Sequence, residues 1–168
     1  YISGYGAVDK EKQELQFLTV SPETPSDSMI AVSDIFSRIG DISSKQTLVL
    51  GDIDFTSENS DKSFSSNEMQ SIIERNVSPL LSKNPNSSVL LGSQMNNPSR
   101  LYMSDEGEDK KHHIFPYFFA KALQERRTTL SDIYQFLERN VSYTSRRLFD
   151  RPQDPLLLGN TQLNLAGQ

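Results

Sequence analysis

Three observations in the sequence predict a three-layer α/β sandwich with a mainly parallel sheet. Short apolar, partly β-branched runs at Thr47–Leu50 and Ser88–Gly92 have the length and composition of strands buried on both faces. Around them lie stretches whose apolar residues recur at helical spacing. Strands and helices alternate along the chain, the order that gives a sheet covered by helices. At 168 residues and 19.0 kDa the chain is read as one domain, 1–168, long enough for a single core.

Composition narrows the function classes. Hydrophobic content of 35% and charged content of 23% suit a globular protein. A net charge of −5 and a pI near 5.0 lack the basic footprint of a nucleic-acid binder, so no nucleic-acid partner is expected. No apolar run approaches the ~18 residues needed for a membrane-spanning helix. Cysteine is absent, which excludes disulfides, thiolate metal sites and any cysteine nucleophile.

The elements follow in order. Tyr1–Gly6 (YISGYG) reads as a strand whose glycines on either side of Tyr5 push that side chain to an exposed corner. Residues 7–14 form a charged loop and Leu15–Val20 a second short strand. Ser21–Asp27, with Pro22 and Pro25, feeds a helix over Ser28–Ile39, with Gly40 as its C-cap. The central strand then ends in Gly51–Asp52–Ile53–Asp54, and ligands of open α/β sheets sit at the carboxyl ends of strands. Ser57–Asn67 is a polar loop, and Glu68–Ser82 a helix with Met69, Ile72, Ile73, Val77 and Leu80 on one face. After the strand at Ser88–Gly92, Gln94–Lys111 is a long polar loop carrying Asp105, Glu106, Glu108 and Asp109. Ile114–Glu125 is an aromatic-rich helix, and Leu130–Val141 an amphipathic one opened by Thr129 and Asp132. A Pro-bounded loop leads to a closing strand within Leu156–Leu165.

These pieces resemble the caspase/metacaspase-type cysteine peptidases. YISGYG resembles that family's strand ending in Ser-Gly-His-Gly, and LVLGDIDFTS its strand ending in Asp-Ala-Cys-Phe-Ser-Gly. SVLLGSQMNNPSRLYMSDE, FPYFFAKALQE, TTLSDIYQFLERNV and RPQDPLLLG resemble the small-subunit half in the same order. The resemblance implies a large-subunit-like segment over residues 1–83 and a small-subunit-like segment over residues 84–168. It places the family's histidine at Tyr5 and its cysteine at Asp54, so both halves of the catalytic dyad are replaced. A phenol with a reference pKa near ~10 is a poor proton shuttle at neutral pH, and a carboxylate is a weak nucleophile towards an amide. A direct or water-bridged hydrogen bond from the Tyr5 phenol to the Asp54 carboxylate is the expected use of the vacated site. Asp52 falls on the acidic residue that, in basic-specific members, helps to bind the substrate's Arg or Lys. The resemblance therefore implies a pseudopeptidase serving as a binding, scaffolding or regulatory module, with Asp52 as a remnant of substrate binding. Relatives also carry two strands and a helix before the histidine strand. Their counterparts are expected upstream of Tyr1, the domain being N-terminally incomplete here. The strand at Tyr1–Gly4 then offers an open edge to a protein or peptide partner.

The alternative from the enzyme class uses the same stretch. LVLGDIDFT also resembles the first motif of haloacid-dehalogenase-type phosphatases, in which the first Asp (Asp52) attacks phosphorus and the second (Asp54) acts as acid/base beside Mg²⁺. The interval from Ser93 to the acidic SDEGED stretch leaves no room for the elements that family places between them. Simple turn-capping by Asp52 and Asp54 is the plainest account of the two carboxylates. His112 and His113 are read as solvated loop residues and the acidic run 105–109 as a solvated charge cluster. No metal and no cofactor is expected. Asn76, Asn86 and Asn140 match the glycosylation pattern, as Ser/Asn-rich chains often do by chance.

Overall fold

The computed structural model describes residues 1–9, 11–18, 29–56, 65–94, 101–103 and 111–166, with backbone alone at 56, 66, 102, 103 and 111. Within it, β1 (Ile2–Asp9), β2 (Glu14–Leu18), β3 (Met29–Ala31), β4 (Thr47–Thr56), β5 (Ser87–Leu91) and a closing strand at Leu156–Gly159 form a six-stranded sheet. Between the last two, β6 (Leu101–Met103) and β7 (Lys111–His113) make a separate two-stranded ribbon, and Leu156–Gly159 is β8. The sheet order is β3-β2-β1-β4-β5-β8. β1, β4 and β5 are parallel, whereas β2, β3 and β8 join antiparallel. The α/β sandwich is therefore present, but its sheet is mixed, with a parallel centre.

Two helices cover each face. α1 (Val32–Gly40) and α2 (Ser66–Lys83) pack with Val49, Ile53 and Phe55 of β4 and Val89 and Leu91 of β5. α3 (Ile114–Gln124) and α4 (Leu130–Phe149) cover Leu48, Leu50 and Leu90 on the opposite face. This split follows from the period-2 alternation of strand side chains. The same alternation puts Asp52 and Asp54 on the α3/α4 face.

Several boundaries differ from those expected, each for a physical reason. β1 runs on to Asp9 because Gly6–Asp9 pair with Glu14–Phe17, turning much of the charged loop into a hairpin. With β4 on its other side over Ile2–Ala7, β1 is an interior strand, so the open edge expected at Tyr1–Gly4 is corrected: β2 and β3 continue the sheet on that side. That hairpin is pinned to α2 by buried Asn76. Its Oδ1 accepts from the Leu15 N–H, and its Nδ2 donates to the carbonyls of Ile72 and Gln13. This Asn is 3% exposed, so the glycosylation match there is accidental. Met29–Ala31, read as the opening of a helix, is strand β3, because it pairs with Gln16–Leu18. Gly40 is the last residue of α1, and Asp41, in an ordinary αR conformation, caps it. α4 continues to Phe149, held by buried Val141, Thr144 and Ser145. The expected loop over 94–111 contains β6 and β7. The stretches 21–27 and 57–64 and the acidic run 105–109 lie outside the described residues.

Candidate functional site

The site lies on β1 and β4 just beyond the carboxyl end of β5, beneath the start of α3. β4 runs through to Thr56, so Asp52 and Asp54 are residues within a paired strand and not the turn caps expected after a strand ending at Leu50. In the parallel β1–β4 ladder, Ser3 stands opposite Asp52 and Tyr5 opposite Asp54. Partners in register on parallel strands share a face, so the two positions assigned to a replaced dyad are neighbours, as expected. The direct hydrogen bond expected between them is not made. Tyr5 is 66% exposed, and its hydroxyl has no hydrogen-bond partner among the described residues. Gly4, at φ +150°, and Gly6 let the backbone turn the phenol outward, in keeping with the glycines on either side of it.

Instead the polar centre is Asp52. Its side chain is fully buried. Oδ2 lies 2.7 Å from His113 Nδ1 and accepts a longer bond of 3.4 Å from the Tyr1 hydroxyl. The His113 tautomer with hydrogen on Nδ1 donates to this carboxylate. Oδ1 is buried with no hydrogen-bond donor among the described residues. A buried acceptor left without a donor costs about 1–3 kcal/mol. The Tyr1 phenol is held above its usual pKa of 10.0 by burial first, then by the neighbouring Asp52 charge and the bond to it. A bond from Ser3 acts in the opposite direction.

His113 is delivered by local structure. Lys111–His113 pairs with Leu101–Met103, and His113 then takes the extended N-cap conformation (φ −68°, ψ 147°) that opens α3. Its side chain does not cap the helix, which leaves the ring for Asp52. The positive end of the α3 dipole thereby sits one side chain away from the carboxylate. Buried Ile114 and Phe115, the next two residues, lock that entry. The reading of His113 as a solvated loop residue is thus corrected: it is half-buried and paired. No local spacing reveals this, because residues 52 and 113 meet only through the fold. His112 is exposed and stacks near Tyr117, with ring centroids 6.4 Å apart.

The far wall is anchored by Gln153. Its Nε2 donates to the Gly92 carbonyl at 2.9 Å, and its own N–H donates to Ser145 Oγ at 2.7 Å. This fixes the loop after α4 against the end of β5. Among the described residues, no group of three or more His, Asp or Glu is placed to hold a metal ion, and no helix is long and apolar enough to cross a membrane. No protein-family model and no curated protein matches the chain.

Proposed function

We propose that this is a caspase-like domain without peptidase activity, which serves as a binding or regulatory module for a protein or peptide partner. The observation that carries the reading is the register of β1 and β4. It sets Tyr5 beside Asp54, at the positions the resemblance gives to histidine and cysteine, in a chain with no cysteine. The Asp52–His113 pair has the arrangement of an oriented base, but there is no thiol for it to activate. What such a site does well is recognise. A buried carboxylate with one oxygen lacking a donor among the described residues suits the N–H groups of an Arg or Lys side chain once the Tyr1 phenol swings aside. The reading needs no metal, cofactor or nucleic acid.

A phosphatase using Asp52 as nucleophile is the less favoured alternative. A fully buried carboxylate with a histidine nitrogen at 2.7 Å is poorly placed to attack phosphorus.

The test has three arms. Peptides containing Arg, Lys or Asp are expected to remain uncleaved, and cleavage that disappears in Asp54→Ala would overturn the reading. An Arg-containing peptide is expected to bind, and to bind more weakly to Asp52→Asn. Mg²⁺-dependent turnover of a generic phosphate ester, lost in Asp52→Asn, would promote the phosphatase instead.

A further inference from the structure

The second half of α4 bears charge out of keeping with the rest of the chain. Arg139, Tyr143, Arg146 and Arg147 recur at i, i+4, i+7 and i+8, which places them on one helical face, and all four are exposed. Arg151 follows directly after the cap at Asp150, also exposed. Four arginines and one carboxylate therefore lie between positions 139 and 151, in a chain whose net charge is −5. None of the four forms an ion pair or side-chain hydrogen bond among the described residues. Other cations are divided: Lys83 meets Asp41 at 2.7 Å and Arg127 meets Asp132 at 2.6 Å, whereas Arg38, Lys45, Lys121 and Arg126 likewise form no ion pair among the described residues.

Helix chemistry explains only some of this. Arg146 and Arg147 sit in the last turn, where a cation complements the negative end of the helix dipole. Arg139 is two turns too early for that effect, and Arg151 lies outside the helix. Arg146 and Arg147 stand two turns from Arg139 on the same face. Tyr143, 63% exposed in the middle of the arginines, adds an apolar ring that no neighbouring element covers among the described residues. Tyr and Arg are the residues enriched where protein partners bind.

We propose that this face of α4 docks an acidic segment of a partner protein, one that carries an aromatic or aliphatic side chain among its carboxylates. Bidentate guanidinium–carboxylate pairs supply the polar contacts, and the Tyr143 ring takes the apolar side chain. The face from Arg139 to Arg147 is only about 12 Å long at 1.5 Å per residue. That length matches a few residues of an acidic segment. A nucleic acid or a lipid surface would extend beyond it over an otherwise acidic protein and be repelled there. α4 runs towards the carboxyl ends of the parallel strands, since the loop after it is tied to Gly92 by Gln153. The docked segment would thus lie at the same end of the sheet as Asp52, on the exposed outer side of α4, whereas Asp52 is fully buried. The two proposals stand or fall separately.

Fluorescence anisotropy with the full chain tests this. The probe is a labelled peptide of alternating Glu and Asp with one central Phe. The comparison probes are a single-stranded oligonucleotide of equal charge and vesicles containing phosphatidylserine. Saturable, salt-sensitive binding of the peptide is expected, weakened about tenfold or more in R139Q/R146Q/R147Q. A smaller loss is expected in Tyr143→Ala. Circular dichroism checks that each variant keeps its helix content. No peptide binding, binding indifferent to the triple substitution, or tighter binding of the oligonucleotide or the vesicles would overturn the proposal.

Discussion

A carboxylate sunk inside a sheet is expensive unless donors come to it. Asp52 gathers two, from His113 and Tyr1, and both lie far from it in sequence. Removing the nearer donor exposes the cost: His113→Ala is expected to lower stability by about 1–3 kcal/mol. Urea unfolding should show this as a lower midpoint with an unchanged slope, and a midpoint within error of the parent would refute it. The second donor has a pH signature. Folding raises the Tyr1 pKa above 10.0, so its contribution is complete below pH 10 and is lost as pH climbs through the raised value. Tyr134 is shifted the same way, by burial first and then by the nearby Glu138 charge. Alkaline titration of the folded protein, followed by tyrosinate absorbance, should therefore show late-ionising phenols. Tyr1→Phe should remove one of them and make the alkaline loss of stability shallower.

At the scale of elements, legibility in the sequence depends on whether a pattern is local. The helical spacing of Met69, Ile72, Ile73, Val77 and Leu80 announces α2, and all five are buried. Pro79 inside that helix has no N–H for the Arg75 carbonyl, which accepts from Ser78 Oγ at 2.8 Å instead. Thr129 with Asp132 announces the start of α4, and Thr129 Oγ1 accepts from the Asp132 N–H as a cap should. The runs at β4 and β5 are equally plain, being apolar on both faces. What the sequence concealed was pairing. Met29–Ala31 matches a helical period, yet it lies in the sheet because β2 is there to receive it. Nothing next to His113 in the chain points to Asp52. Gly159 shows how strict such pairing is. It has φ +93°, and a Cβ added there would run into the Ser87 carbonyl oxygen of β5. Gly159→Ala is therefore expected to cost about 1–3 kcal/mol by strain and overpacking and to loosen the β5–β8 edge first. Hydrogen exchange should show faster opening at Ser88–Leu91 than in α2, and equal protection in parent and variant would rule this out.

At the scale of the molecule, one sheet divides two apolar clusters but also joins them. β4 gives Val49, Ile53 and Phe55 to the cluster under α1 and α2, and Leu48 and Leu50 to the one under α3 and α4. β5 does the same with Val89 and Leu91 on one side and Leu90 on the other. The segments 1–83 and 84–168 cannot then be separate folding units. The β4–β5 ladder crosses between them, and Leu156 packs into the cluster built mainly by the first segment. Opening either face strips the other of its sheet, so the two should melt together. The test uses one small deletion on each face. Ile73→Val in α2 and Ile133→Val in α4 each remove a methylene from a fully packed position, at a cost of about 0.5–1.5 kcal/mol. With the sheet between them and no shared contacts, the double variant should equal the sum within about 0.5 kcal/mol. Every variant should unfold in a single transition, with far-UV circular dichroism and tyrosine fluorescence coincident. Separate transitions, with Ile73→Val shifting one and Ile133→Val the other, would mean that the two faces fold independently and that the shared strands do not couple them.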